Sequence, residues 1–258
     1  MLSKAQIQYI NSLQQKKYRK QHQAFIVEGM KSIEEFLVSS YSVLQIFHTA
    51  DMLTKMPKIP HKIKLNEVRE EDFKKISALS TPQGILAIVE IPDAGELQLD
   101  IYSQILAEDS LVIGLDEVQD PGNLGTIIRI ADWYGVKHIL ATKGTADAYN
   151  PKTVQASMGS LSRVQIHYGD LKSFIKETQI PVFGALLNGE SLYDTQFEKK
   201  CMVLLGNEGN GIGEDLMRLI DKPVTIPSFG GAESLNVGVA TAIFCSEYKR
   251  QQIKRGSI

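Results

Sequence analysis

Apolar positions along the chain fall into two regimes, each with its own period. After an amphipathic opening, short apolar runs at AFIVEG (24–29), SVLQIFHT (42–49), HKIKLNE (61–67) and GILAIVEI (84–91) alternate with helix-like stretches such as MKSIEEFLVSS (30–40). This pattern predicts a small α/β domain. Further along, SLVIGLDEV, VKHILAT, RVQIHY, PVFGALL, CMVLLGNE and KPVTIPS read as strands, separated by helices at about 123–135, 151–160, 170–178 and 213–220. A last helix follows GAESLN. Regular alternation of strand and helix predicts a parallel sheet. The two regimes meet at IPDAGELQLDIYSQILAEDS, where Pro92, Gly95 and scattered acids interrupt the pattern. The expected organisation is a first domain over 1–93, a linker over 94–108 and a second domain over 109–258.

A length of 258 residues suits two domains with real cores, and 43% hydrophobic with 22% charged residues is ordinary for a globular protein. No apolar run approaches the roughly 20 residues of a membrane span. The opening MLSKAQIQYI lacks the pattern of a secretory signal, so a cytoplasmic location is expected. Cys201 and Cys245 each sit among apolar residues with no second pair nearby, which favours reduced core thiols over a disulfide framework or a metal centre.

The formal charge of −2 hides an asymmetry. Residues 1–93 carry 13 Lys and Arg against 10 Asp and Glu, and residues 94–258 carry 15 against 20, so the halves are +3 and −5. Within the first half, QQKKYRKQHQ gathers Lys16, Lys17, Arg19 and Lys20 around Tyr18, a combination suited to phosphate contacts and one stacked base. A solvated helix end with cations near its C-terminus would carry the same residues.

Three polar, glycine-bearing segments follow strands of the second domain: DEVQDPGNLGTIIRIADWYGV, LLGNEGNGIGEDL and IPSFGGAESLNVGVATA. Loops after parallel strands open at one sheet edge and can converge on a ligand. The first segment lacks G-x-G-x-x-G, the second places Ile212 where a P-loop needs Lys, and Ser234 is not in a G-x-S-x-G elbow. Hydrolase and nucleotide-triphosphatase readings are thereby disfavoured.

In this order the segments resemble the three motifs of the SpoU/TrmH family of RNA 2′-O-methyltransferases. The residues carrying the likeness are Asp120-Pro121-Gly122-Asn123, Gly125 and Arg129, then Gly206, Glu208 and Gly211, then Ile226-Pro227 with Ser234-Leu235-Asn236. The first domain is similar, more loosely, to the family's RNA-binding extension through FIVEGMKSIEEFL and TPQGILAIVEI. The resemblance implies an α/β parallel-sheet methyltransferase domain tied in a trefoil knot, which general topology rules would disfavour. It also implies S-adenosylmethionine as methyl donor, a homodimer and a ribosomal or transfer RNA substrate, and with no Cys/His ligand cluster in the sequence no metal is expected. A catalytically silent RNA-binding protein of the same fold and a base methyltransferase are the alternatives. By the same likeness Asn123, Arg129, Glu208, Ser234 and Asn236 shape the reacting pocket, and Leu187, Gly206, Asn207, Gly211, Ile226, Ser234 and Leu235 hold the donor.

Read as residues, the first motif is a turn followed by a helix whose core stripe is Leu124, Ile127, Ile128 and Ala131, with Arg129 off that stripe. Asn123 reads either as a pocket residue or as a plain N-cap, and Arg129 either as its companion or as a surface partner of Asp132. Glu208 is expected to organise Arg129 and Asn123. Ser234 and Asn236 would also serve as helix caps. The likeness makes Arg129 the proton acceptor, yet an arginine is ordinarily always protonated. It would need a strongly depressed pKa, or it would orient a phosphate while Glu208 or water takes the proton. Leu235, Val239, Ala240, Ile243 and Phe244 give the last helix more apolar surface than one face needs, and a partner subunit is expected to cover part of it.

Overall fold

The computed structural model describes residues 2–92, 99–108 and 110–256. It divides into two compact units, Met1–Ala94 with Asp147–Ser162, and Gly95–Ala146 with Arg163–Ile258. The boundary expected near residue 94 lies outside the described residues.

The first unit opens with helices α1 (Lys4–Ser12) and α2 (Lys16–His22), followed by β1 (Ala24–Glu28), α3 (Met30–Leu37), β2 (Val43–His48), β3 (Lys64–Glu67), α4 (Glu70–Ile76) and β4 (Ile85–Glu90). The four strands form a mixed sheet in the order β1-β4-β2-β3, antiparallel except for the β2–β3 pair. Every residue of β1 is buried, because both faces of the sheet are covered. Ala24 and Ile26 join Ile10, Leu13, Phe73 and Ile76 in one core cluster. Phe25 points the other way, with its ring 5.6 Å from Phe36 and 4.8 Å from Tyr149. Two-sided burial explains why AFIVE and ILAIVE read as continuous apolar runs instead of alternating ones.

Among the described residues, Arg19 is the largest fully buried side chain. It donates to the carbonyls of Leu13 (2.9 Å) and Gln14 (2.8 Å) and pairs with Asp147 Oδ2 at 2.6 Å. Asp147 heads the segment 147–162, so this ion pair fastens a distant stretch of chain to the N-terminal helices of its own unit. Lys16, Lys17 and Lys20 remain exposed on α2. Arg19 is therefore withdrawn from the expected RNA-contacting set: burial and three hydrogen bonds commit its guanidinium to the fold.

The second unit begins with α5 (Leu99–Glu108), in the region expected to be linker, where Tyr102 and Ile105 are buried in a core cluster with Phe174 and Ile175. After it come β5 (Leu111–Leu115), α6 (Pro121–Trp133) and β6 (His138–Ala141). Helix α7 (Pro151–Ser157) folds with the first unit. The chain then returns with β7 (Gln165–Tyr168), α8 (Leu171–Thr178), β8 (Val182–Ser191), β9 (Cys201–Leu205), α9 (Glu214–Met217), β10 (Lys222–Thr225) and α10 (Val237–Lys254).

Its six strands form an all-parallel sheet in the order β10-β8-β9-β5-β6-β7, as strand–helix alternation predicts. Alternate strand residues Val112, Leu140, Val182, Met202 and Leu204 share a core with α5, α8 and α9. On the other face lie α6 and α10, which pack against each other. Phe197 ties α10 to the sheet, with its ring 4.7 Å from Phe183 and 6.0 Å from Tyr248. Cys201 and Cys245 are buried free thiols, and burial raises both, Cys245 to about 12. Among the described residues no helix is long and apolar enough to cross a membrane.

Two predictions follow from this packing. Asp147→Ala leaves the buried Arg19 charge without its counterion and should cost about 3–5 kcal/mol in urea unfolding. The second concerns the sheet edge, where His138 Nδ1 lies 3.0 Å from His167 Nε2 and His138 Nε2 lies 3.5 Å from Glu108 Oε2. Burial, and then the neighbouring His138, pull His167 from 6.5 down to about 4. Between those values the unfolded chain binds the extra proton, so stability is full above about pH 6.5 and declines as pH falls toward 4. The urea midpoint should fall across that window, and less so in His167→Asn.

Candidate active site

The first motif builds the start of α6. Asp120 is the N-cap, its Oδ1 accepting from the Asn123 N–H at 2.9 Å, and Pro121 occupies the first helical turn. The N-cap role expected as an alternative for Asn123 thus belongs to Asp120, which leaves the Asn123 side chain available. Leu124, Ile127, Ile128 and Ala131 are buried as the stripe predicts.

The second motif is a tight loop after β9. Asn207 and Gly211 exchange backbone hydrogen bonds of 2.8 and 2.9 Å, and Asn207 Oδ1 accepts from the N–H groups of Gly209 and Asn210 at 2.9 Å each. A Cβ at position 206 would lie 2.2 Å from the Gly211 carbonyl carbon, so only glycine lets the loop close. Asn207 Nδ2 donates to the Glu117 carbonyl at 2.8 Å, and the Gly213 N–H donates to Asp116 Oδ2 at 2.8 Å, fixing this loop to the end of β5. Asp116 and Glu117 are scaffold residues that motif reading passed over; their position directly after an apolar strand was the available signal.

The third motif opens α10, and Asn236 is its N-cap, Oδ1 accepting from the N–H groups of Gly238 (2.9 Å) and Val239 (3.4 Å). A Cβ on Gly238 would come within 3.0 Å of Thr126 Cγ2, so glycine permits the close approach of α10 to α6. This brings Asn236 Nδ2 to 2.8 Å from Asn123 Oδ1, and Asn123 Nδ2 to 2.8 Å from Glu208 Oε1.

The orientation of this chain is forced from one end. Helix N–H groups can only donate, so Asn236 must turn its oxygen to them and its NH2 to Asn123. Asn123 must then accept there and donate onward, and Glu208 must accept. The three motifs thereby meet through three side chains.

Other predicted residues stand apart from this chain. Arg129 is exposed on α6 and makes no hydrogen bond or ion pair among the described residues. Its expected partner Asp132 is gripped by Arg163, at 3.0 and 3.2 Å from Nε and 2.7 Å from Nη2. Glu208 accordingly organises Asn123 but not Arg129. Ser234 and Leu235 are exposed and precede the cap, Ile226 is half-buried, and Leu187 is 71% exposed with its carbonyl accepting from Thr225 Oγ1 at 3.1 Å. Among the described residues, no backbone amide from Ser228 to Leu235 donates to a backbone carbonyl. The amides of that stretch are thus available to a polar ligand such as an adenosyl cofactor. Among the described residues no group of three or more His, Cys, Asp or Glu is placed to bind a metal ion.

Residues 110–246 match the SpoU rRNA Methylase family, a span of more than half the chain. The chain belongs to this family. Residues 4–87 match the MRM3-like substrate binding domain. The chain is similar to the 23S rRNA (guanosine(2553)-2′-O)-methyltransferase of Bacillus subtilis, 34% identical over 236 residues and 90% of each chain. Among solved structures, it resembles a TrmH-family protein from Porphyromonas gingivalis, with 41% identity, a TM-score of 0.85, and coverage of 97% of this chain and 99% of the other. An AdoMet-bound rRNA methyltransferase from Sinorhizobium meliloti gives 28% identity, a TM-score of 0.84, and coverage of 97% and 96%. The three segments joined by the Asn236–Asn123–Glu208 chain all lie within the matched span.

The forced orientation yields a test. Asn236→Ala removes the cap and should cost about 1 kcal/mol, whereas Asn236→Asp retains it and should melt within about 0.5 kcal/mol of the parent. The introduced carboxylate has no donor for Asn123, so both variants should lose single-turnover methyl transfer. Parental transfer by Asn236→Asp would show that the amide chain is dispensable.

Proposed function

We propose that this SpoU-family protein transfers the methyl group of S-adenosylmethionine to a ribose 2′-hydroxyl of ribosomal RNA. The observation that carries this reading is the hydrogen-bonded chain uniting all three motifs. A catalytically silent RNA-binding relative would have no use for an oriented amide pair ending on a carboxylate. The names of the similar proteins, which specify 2′-O transfer to 23S rRNA, support ribose over base as acceptor.

The backbone around Leu187, Gly206, Asn207, Gly211, Ile226, Ser234 and Leu235 would hold the donor, which supplies an electrophilic methyl group when bound. Attack by the ribose oxygen requires the hydroxyl to be held in line and to lose its proton. Glu208 is suited to accept that proton: Oε1 is occupied by Asn123, and Oε2 makes no hydrogen bond among the described residues. Arg129, whose guanidinium is exposed on α6, is suited to orient the phosphate beside the target ribose. Ser234 stands just ahead of the α10 cap, where its hydroxyl would help place the reacting sugar. Lys16, Lys17 and Lys20 on α2 would contact phosphates elsewhere on the RNA.

The same reading includes a homodimer and a trefoil knot. Support for a partner comes from Leu235 (49% exposed) and Val239 (48%), while Phe244 is spent in the protein's own core. Support for the knot comes from the strand order: β9 enters between β8 and β5, and the chain then runs to β10 before α10 packs on α6.

Glu208→Gln should bind donor and RNA normally but lose about 10²–10⁴-fold in single-turnover rate. Arg129→Ala should also fall, with partial rescue by Arg129→Lys if charge alone matters. A near-parental rate in Glu208→Gln together with abolition in Arg129→Ala would move the proton acceptor to Arg129. Neutralising Lys16, Lys17 and Lys20 should weaken RNA binding and flatten its salt dependence by about 0.7–0.9 in slope per lost phosphate contact, with donor affinity unchanged.

A further inference from the structure

Helix α2 turns Arg19 inward, and the side chains around it carry a feature that lies outside the three motifs. Tyr18 and His22, one turn apart, hold their rings nearly parallel, at an interplanar angle of 19° with centroids 6.5 Å apart. The Tyr9 ring of α1 meets His22 edge to face, 5.0 Å away at 88°. Three rings from two helices thus form one group. Tyr18 is half-buried and His22 is exposed. Lys17 Nζ stands over the Tyr18 ring, 5.6 Å from its centroid, so that face is turned to an exposed cation and not into the core.

The rings are held in place by the backbone beneath them. The bonds from Arg19 to the carbonyls of Leu13 (2.9 Å) and Gln14 (2.8 Å) tie α2 to the end of α1. Gln23, in the left-handed conformation (φ 47°), closes α2: its N–H donates to the Arg19 carbonyl, and its Nε2 donates to the Lys20 carbonyl at 2.8 Å. A site ordered before its ligand arrives loses little freedom on binding it.

Charge around the rings has one sign. Residues 1–27 hold Lys4, Lys16, Lys17, Arg19 and Lys20 and no Asp or Glu. The first acid, Glu28, is buried and accepts from Ser77 Oγ (2.6 Å) and the Ala78 N–H (2.7 Å). Where α4 reaches α1, the Lys75 carbonyl accepts from Asn11 Nδ2 at 2.9 Å, and the neighbouring Asp72 is paired with Lys75 at 2.8 Å and Arg69 at 3.4 Å. The other acids of that helix, Glu70 and Glu71, stand in its first turn, at the far end from Lys75.

We propose that Tyr18 and His22 form a stacking platform for unpaired nucleobases of the RNA, with phosphates of the same strand held by Lys16, Lys17 and Lys20. The inference rests on the RNA-methylating reading above and narrows its substrate class: the first unit engages ribosomal RNA through a single-stranded loop or bulge. Near-parallel rings one turn apart suit successive bases of one strand, and every base offers a π-face. An A-form duplex keeps its bases stacked on one another and offers mainly 2′-hydroxyls and phosphates, which leaves the rings without a role. A second copy of the chain fits less well, because the three exposed lysines would meet their own like charges across a two-fold contact.

Binding of the full-length protein to a short mixed-sequence oligoribonucleotide, single-stranded or annealed to its complement, would be followed by fluorescence anisotropy over a range of salt. Tyr18→Leu and His22→Leu keep an apolar side chain but lose the π-face. Each should weaken single-strand binding about 5- to 100-fold and leave duplex binding and the salt slope unchanged, since no phosphate contact is lost. Tyr18→Phe should bind as the parent does. Because His22 is exposed, His22→Leu reports on stacking even if Tyr18→Leu lowers the urea midpoint. Equal losses for strand and duplex, a flattened salt slope, parental affinity in both leucine variants, or no binding of either RNA by the parent would each overturn the proposal. So would self-association of the parent that disappears in Tyr18→Leu, because the rings would then be a subunit contact. Strand-selective binding without methyl transfer to ribosomal RNA would keep the platform and count against the function proposed above, whereas transfer with parental KM in both leucine variants would do the reverse.

Discussion

The unsatisfied N–H groups at the start of α10 set the polarity of the active site. They cannot accept a hydrogen bond, and that one-way demand passes through Asn236 to Asn123 and ends on Glu208. A routine requirement of helix termination therefore does a second job, selecting one of two orientations for each amide. It also defines where the three chain segments must lie: the Asn236–Asn123 link closes at 2.8 Å only if α10 approaches α6, and the Asn123–Glu208 link at 2.8 Å only if the loop after β9 reaches the start of α6. Gly238 permits that approach, and Gly206 lets the loop carrying Glu208 close on Gly211.

Around this chain the rest of the second unit acts as a rigid mount. Apolar strands β5 and β9 run side by side in the sheet centre and deliver the first and second motifs to the same edge. Helix α10 is held far from the site by a separate polar clamp: Gln251 bonds the backbone of Thr195 and Phe197, and Tyr248 donates to the Lys199 carbonyl at 2.6 Å. Precision at the helix start is thus protected by attachments nearer its end, a division of labour expected where catalysis depends on placement.

Much of this was legible in the sequence because the signals were local. Continuous apolar runs ending in glycine-bearing polar loops marked both the strands and the edge where they converge. The cap of α6 was misplaced: the apolar pattern starts the helix near 123 with Asn123 as a possible cap, although Pro121, which favours the first helical position, was the local signal for Asp120. Arg19 was not readable. Among Lys16, Lys17 and Lys20 it looks like one more surface cation, and the partner that draws it inward is 128 residues away. Nor did composition distinguish 147–162 from its neighbours, since no glycine or proline cluster marks its return to the second unit near Arg163.

That segment bears on how such proteins are recombined. Its sequence lies inside the stretch that matches the methylase family, yet it folds with the substrate-binding unit, secured by Asp147 and the Tyr149 ring. The two units are consequently not interchangeable cassettes. A chimera joined at the inter-unit boundary would inherit its Arg19 from one parent and the matching acid from the other. Exchange of RNA specificity between relatives would have to carry two separate stretches of chain together, and substitutions in either would be judged by their fit to the other.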